Sequence, residues 1–287
     1  MMASASSALR SQYEEQGYLS PIAIHDLSSP SHARIVAGFD ALAKTERLRD
    51  GFIHDSNNTY LSLVDRHFDQ RWLWEELAIA PAVLDVVEAL IGPDIMLMAS
   101  HIFVKFPLKA GTAASAIPFV DWHQDVRYWS LDDNSKVVTL WYAVDPSDNG
   151  NGCLQVLPRS HTGGLLAHGT SSGARGKNLL ASNQAIEIDR SATDVVDFVL
   201  RPGQASVHHG MIVHGSRPNL SETRRRCGVT LRFFPPSVRQ HAANNVGGSW
   251  KAVCVRGVDK FGHFGNTAFP TFGDTRRGAF GGGGSRL

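Results

Sequence analysis

Cysteine is scarce: Cys153, Cys227 and Cys254 are the only three in 287 residues, widely spaced and without any Cys-x-x-Cys pairing. This excludes a disulfide framework and argues against a zinc or dithiol centre, and a reducing compartment is expected. Neither sign of charge is in excess, with 28 basic against 27 acidic residues and a formal net charge of +1. An electrostatic hold on nucleic acid or an anionic membrane is therefore not expected. No stretch approaches the roughly 18 apolar residues of a membrane span. Segment 1–10 is small and polar, without the apolar core of a secretory leader. We therefore expect a soluble, cytoplasmic protein with neither nucleic acid nor membrane as partner.

With 43% hydrophobic residues the chain can bury a substantial core. Helical periodicity runs over 8–18, over 31–48 behind the start signal at Pro30, and over 70–90 with an interruption at Pro81. The last block carries Leu84, Val87 and Leu90 on one face and stops at Ile91-Gly92-Pro93. From Ile95 the pattern changes to short β-type runs at 95–106, 137–144, 154–157, 205–207, 211–213 and 229–234, separated by Gly-, Asn- and Asp-rich turns. Helices first and strands afterwards predict a mainly β fold with bracing helices, a double-stranded β-helix or cupin-like jelly roll. No internal repeat is found. The expected organisation is one domain over 1–275, with a helical region over 1–92, a jelly-roll core of about 95–236 and a C-terminal extension 237–275. A flexible Gly-rich tail 276–287 follows. The Gly-, Ala- and Ser-rich loops 109–118 and 170–178 are candidates for a lid over a bound substrate.

Chemistry concentrates in His123, Asp125 and His214. The first two stand in Trp122-His123-Gln124-Asp125, where an i, i+2 spacing on extended backbone directs an imidazole and a carboxylate to the same side. A second imidazole from a distant strand would complete a three-donor face. Two His and one carboxylate with open positions suit a non-heme Fe(II) oxygenase. Taken singly, His123 and Asp125 read as a polar pair on an edge strand and His214 as a core histidine, with His208 and His209 competing for the third place. Arg225, in Thr223-Arg224-Arg225-Arg226-Cys227, is the candidate guanidinium for a cosubstrate carboxylate, provided the turn at Ser216-Arg217-Pro218-Asn219 folds its strand back beside His214. Arg224 and Arg226 would then face the other way, and a one-residue change of register would exchange them with Arg225.

These residues, with Asn151-Gly152-Cys153-Leu154-Gln155-Val156-Leu157-Pro158, Ser160-His161, His214-Gly215-Ser216 and Asn219, resemble the phytanoyl-CoA dioxygenase-like group of Fe(II)/2-oxoglutarate oxygenases. The likeness runs from about Ile95 to Pro236. It implies iron held by His123, Asp125 and His214, and 2-oxoglutarate touched by Arg225, Ser216 and Trp141. It also implies a pocket lined by the strand of His101, with Arg127 and Tyr128 as further substrate candidates. For each of these a structural role is the alternative: a core aromatic for Trp141, a turn residue for Ser216, a solvated strand end for Lys105, rim packing for Arg127 and Tyr128. Related halogenases carry a small residue where Asp125 stands, so the resemblance implies hydroxylation of a C–H bond in a small polar metabolite or natural-product intermediate. O2 and 2-oxoglutarate would be converted to succinate and CO2. The alternatives are desaturation or cyclisation by the same centre, a non-catalytic jelly-roll binding protein, and a zinc hydrolase, for which no adjacent general base is present in sequence.

Overall fold

The computed structural model describes residues 2–45, 47–49, 52–54, 71–171, 176–180, 184–189, 194–241 and 251–264. The chain begins with helix α1 (Met2–Gln16), strand β1 (Tyr18–Ala23) and helix α2 (Pro30–Thr45). Short strands β2 (Arg47–Arg49) and β3 (Phe52–His54) come next. A single helical turn α3 (Arg71–Leu73) then runs into a π turn at Trp74–Ala78. Helix α4 (Pro81–Ile91) follows for reasons visible in its residues: Pro81 occupies the first turn, where its missing N–H costs nothing, and Val83, Leu84, Val87 and Leu90 recur on one buried face. It stops at Gly92, whose φ of 94° a side chain would resist and whose N–H caps the Glu88 carbonyl at 2.9 Å.

The β region comprises β4 (Ile95–Lys105), β5 (Pro118–His123), β6 (Val138–Ala143), β7 (Leu154–Val156), β8 (Gly169–Thr170), β9 (Lys177–Asn178), β10 (Gln184–Ala185) and β11 (Val196–Asp197). It continues with β12 (Gln204–His209), β13 (His214–Ser216), β14 (Arg226–Phe234) and β15 (Val253–Arg256). One sheet has the order β1-β12-β6-β14-β4-β3-β2 with β15 also on β4, and a second has the order β11-β7-β13-β5-β9. Pairing is antiparallel except between β5 and β9. The two sheets form the curled, cupin-like jelly roll.

The larger sheet has two unlike faces. Cys227, Val229, Leu231 and Phe233 of β14, Val138, Leu140 and Tyr142 of β6, and Ala205 and Val207 of β12 join Ile35, Phe39, Leu77, Leu84 and Val87 in the main core. Each apolar side chain fully buried there contributes on the order of 1.5–3 kcal/mol. The opposite face carries His101, Lys105, Thr139, Trp141, His208, Arg226, Thr230 and Arg232, all buried and turned towards the smaller sheet. This parity is the pleat of a strand expressed twice, apolar under the helices and polar inside the roll.

The expected elements differ from the observed ones at three places. The helix expected over 8–18 ends at Gln16, because Gly17 takes a φ of 81° and Tyr18 starts β1, paired with His208. Residues 211–213, expected as a strand, form the turn between β12 and β13. The extended segment expected through His123 and Asp125 ends at His123, and Asp125 opens a 3-10 turn, Asp125–Tyr128. The tail 276–287 lies outside the described residues, as do portions of the 170–178 loop and of the extension 237–275. Among the described residues no helix is long and apolar enough to cross a membrane.

Candidate metal centre

β13 pairs with β5 so that His214 stands opposite His123. Gln124 between the two β5-side residues is extended, at φ −117° and ψ 128°, which leaves His123 and Asp125 on one side even though the strand has ended. The Gln124 side chain bolts this point down: its amide donates to the Gly164 and Met211 carbonyls at 2.8 and 2.7 Å and accepts from the Leu166 N–H at 2.8 Å. The result is a buried cluster in which donor atoms of His123, Asp125 and His214 all lie within 4.8 Å of one another.

Both imidazoles are oriented in the same way. His123 Nδ1 donates to the Asp121 carbonyl at 2.9 Å and His214 Nδ1 to the Ile212 carbonyl at 3.0 Å, each two residues back on its own chain. That leaves each Nε2 lone pair facing Asp125 Oδ1, at 3.7 and 3.8 Å. A fixed tautomer with the free nitrogen aimed at a common point is the arrangement of metal-ligating histidine. Burial, reinforced by His123 and His208, pushes the His214 pKa well down, so the ring is neutral and able to donate its lone pair. Burial opposes the charged form of Asp125, but Arg232, His123, His208 and His214 together outweigh it and hold the carboxyl well below the usual carboxylate range. Two imidazoles and one carboxylate are the donor set a divalent iron accepts.

Asp125 is held from the larger sheet. Thr139 Oγ1 donates to its Oδ2 at 2.9 Å, Arg232 Nε to Oδ2 and Nη2 to Oδ1 at 3.3 Å each. Arg232 also donates to His101 Nδ1. His101 therefore sits beside the centre, and burial followed by the Arg232 charge keeps its pKa well down. Arg127 is exposed and Tyr128 half-buried against Trp129 and its neighbours.

Arg225 does not enter the roll. It lies on the helix side of the sheet, donates to Asp145 Oδ2 and Oδ1 at 2.7 and 2.9 Å and to Asp40 at 3.2 Å, and stacks over Phe39 at 4.5 Å. The physical reason is parity, since Arg225 falls in step with Cys227, Val229, Leu231 and Phe233. Arg226 points inside instead. Its Nε and Nη2 donate to the Gly152 carbonyl at 3.1 and 2.9 Å, and its guanidinium lies over Trp141 at 5.4 Å. Gly228 makes that stack possible, because a Cβ there would stand 2.0 Å from the Trp141 ring. Lys105, expected as a solvated strand end, is 2% exposed, lies opposite Arg226, and donates to Ser216 Oγ at 2.6 Å and to the Arg217 carbonyl. Among the described residues no carboxylate pairs with Arg226 or Lys105. Burial, reinforced by Arg226, pushes the Lys105 pKa well down, and burial brings Arg226 down to about 10. Among the described residues this buried basic pair has no anion beside it, a costly arrangement that an anionic ligand would relieve.

Asn151 and Asn219 build the wall behind this pair. Asn151 donates to the Pro146 carbonyl at 2.7 Å, and Asn219 to the carbonyls of Lys105, Phe106 and Arg224 at 3.1, 3.0 and 2.7 Å. Sequence reasoning gave Thr139 no role, read Lys105 as a solvated strand end, left Arg226 as the register alternative to Arg225 and His208 as a rival of His214, and took Arg232 only as a hint of a polar substrate. For Arg226 and Arg232 a signal was present in the alternation with apolar residues on β14.

Residues 13–227 match the family model described as phytanoyl-CoA dioxygenase (PhyH). The chain belongs to the phytanoyl-CoA dioxygenase family. Members of this family are Fe(II)- and 2-oxoglutarate-dependent oxidoreductases. The chain is similar to the peroxisomal phytanoyl-CoA dioxygenase of Bos taurus, 32% identical over 146 residues that cover 51% of this chain and 42% of that protein. It is also similar to a probable alpha-ketoglutarate-dependent hypophosphite dioxygenase of Stutzerimonas stutzeri, 29% identical over 53% of this chain and 50% of that protein. The matched segment thus spans about half the length of these relatives or less. Among solved structures, the non-heme monooxygenase ThoJ superposes with a TM-score of 0.65 at 25% identity, covering 89% of this chain and 86% of that one. CytC3 with Fe(II) and alpha-ketoglutarate shares the fold at a TM-score of 0.59 and 22% identity, over 89% of this chain and 90% of that one.

Proposed function

We propose that this chain is a single-domain Fe(II)/2-oxoglutarate-dependent dioxygenase that hydroxylates a C–H bond of a small polar metabolite or natural-product intermediate. The convergence of His123, Asp125 and His214 donor atoms within 4.8 Å carries the reading. These three side chains would hold the iron. When bound, the iron with 2-oxoglutarate and O2 supplies the oxidising chemistry, one oxygen going to the substrate and one to succinate as CO2 is released.

The rest of the work belongs to the chain's own residues. Arg226 and Lys105 would take the far carboxylate of 2-oxoglutarate, the ligand their unpaired buried charge calls for. Ser216 is already bonded to Lys105 and Trp141 lies under the Arg226 guanidinium, so both line the same subsite. His101, fixed by Arg232, is the residue we assign to the substrate side, with Arg127 and Tyr128 at the rim. A cation-rich interior favours a polar or anionic substrate. The probable hypophosphite dioxygenase among the relatives is, by its name, consistent with that class. The presence of Asp125 as a ligand, where a halogenase would leave room for halide, supports hydroxylation.

The test is succinate release by the protein loaded with Fe(II) and supplied with 2-oxoglutarate and O2, screened against small polar and anionic metabolites with product mass recorded. Substrate-stimulated succinate with the gain of one oxygen is expected. Absence of succinate above the level of an Asp125→Ala variant would refute the proposal. Loss of two hydrogens would move it to desaturation or cyclisation.

A further inference from the structure

His208 is an anomaly of the interior. It is 1% exposed, and among the described residues neither of its ring nitrogens has a hydrogen-bond partner. An aromatic hydrocarbon side chain would fill the same space without leaving two buried polar atoms unsatisfied. Its surroundings indicate what it is aimed at. The ring lies 4.6 Å from that of His214, and Nε2 stands 3.8 Å from Asp125 Oδ2. His208 faces Thr139 across the ladder between β12 and β6, and Arg232 completes the group from β14.

The two oxygens of Asp125 have unlike surroundings. His123 and His214 face Oδ1, which also accepts from Arg232 Nη2, whereas Oδ2 is met by Thr139 Oγ1, by Arg232 Nε and by the His208 ring. A ring movement of roughly 1 Å would bring His208 Nε2 to hydrogen-bonding distance. We propose that His208 is a positioning residue for the metal centre, whose Nε2–H holds Asp125 Oδ2 away from the metal and leaves Oδ1, the oxygen faced by His123 and His214, to bind it. A carboxylate spending both oxygens on a metal would occupy a position that cosubstrate or O2 requires. The inference rests on the metal reading above and concerns a residue that the donor triad does not include.

Cobalt(II), added to metal-free protein, serves as the probe. The readouts are its dissociation constant from the visible absorption of the bound ion, and the count of solvent-protected imidazole N–H signals in protein labelled with 15N-histidine. His208→Phe is expected to weaken cobalt binding about 10-fold or more, the usual effect of losing an outer partner of a ligand, with a melting temperature no lower than that of the wild type. His208→Gln, which restores a donor at the same reach, should recover most of the affinity. Wild-type protein should show a His208 N–H shifted by the paramagnetic ion beside those of His123 and His214. Equal cobalt affinity in wild type and His208→Phe, an equal loss in the Phe and Gln variants, or a wild-type spectrum with no shifted N–H signal that the His208→Gln variant lacks would overturn the proposal. Should His208→Phe fail to fold, the wild-type N–H count and the Gln variant decide. A wild-type protein that binds no cobalt at all would sink the metal reading itself, a distinguishable result.

Discussion

Arg225 and Arg226 are chain neighbours with opposite surroundings. The first is partly exposed, salt-bridged to Asp145 and Asp40 and laid over Phe39 beneath the helices. The second is buried without a carboxylate, bonded to the Gly152 carbonyl and laid over Trp141 inside the roll. Asp145 raises the pKa of Arg225, while burial lowers that of Arg226 to about 10. The same contrast recurs on β12, where His208 looks into the centre and His209 packs by Tyr13 and His161. One face of the sheet is satisfied as folded, and the other holds charge in waiting.

Breaking the inner face should cost most in ligand binding. Arg226→Met is expected to weaken 2-oxoglutarate binding roughly 100-fold, about 3 kcal/mol for a buried charge partner, as read by titration calorimetry on metal-loaded protein. Unchanged affinity would return the anchor to another residue. Breaking the outer face should instead cost stability. Leu231→Ala, at a side chain with no exposure, should destabilise by about 3 kcal/mol in denaturant unfolding while cobalt affinity in the folded fraction stays the same. If metal affinity fell with stability, the two faces would not be separable.

Acid titration sharpens the comparison. Burial, with His161 nearby, lowers the His209 pKa from 6.5 to about 4. The folded state therefore binds fewer protons than the unfolded one, so this contribution is fully present above pH 6.5 and shrinks as the pH falls towards 4. It amounts to roughly 3 kcal/mol at most. His209→Asn should flatten the loss of melting temperature between pH 7 and 5. An unaltered slope would remove His209 from the account. The smallest effect is expected from Arg225→Met, about 1 kcal/mol of stability for a half-buried ion pair, with 2-oxoglutarate affinity unchanged. A large loss of that affinity would reverse the assignment of the two arginines.

Much of this was legible along the chain. The pattern of helices followed by short strands anticipated the jelly roll, and His123, Asp125 and His214 stood out by residue type and motif. The misplacement of Arg225 came from taking an offset from His214 across a turn of unknown geometry. The apolar residues at 227, 229, 231 and 233 share its parity, and they would have assigned it to the core side. Lys105 gave less away, because a lysine at the end of a strand is usually solvated and only the facing Ser216 and Arg217 reveal that this one is enclosed.

The residues by themselves determined the alternation, the punctuation by Gly and Pro, and the chemistry available at each position, since these depend on local backbone preference and side-chain type. Tertiary structure decided which donors meet. Thr139, Arg232 and His208 reach Asp125 from three different strands, and Lys105 reaches Ser216 across more than a hundred residues. Contacts of that kind depend on sheet order and register, set by the whole core closing at once, and no local stretch of sequence carries them.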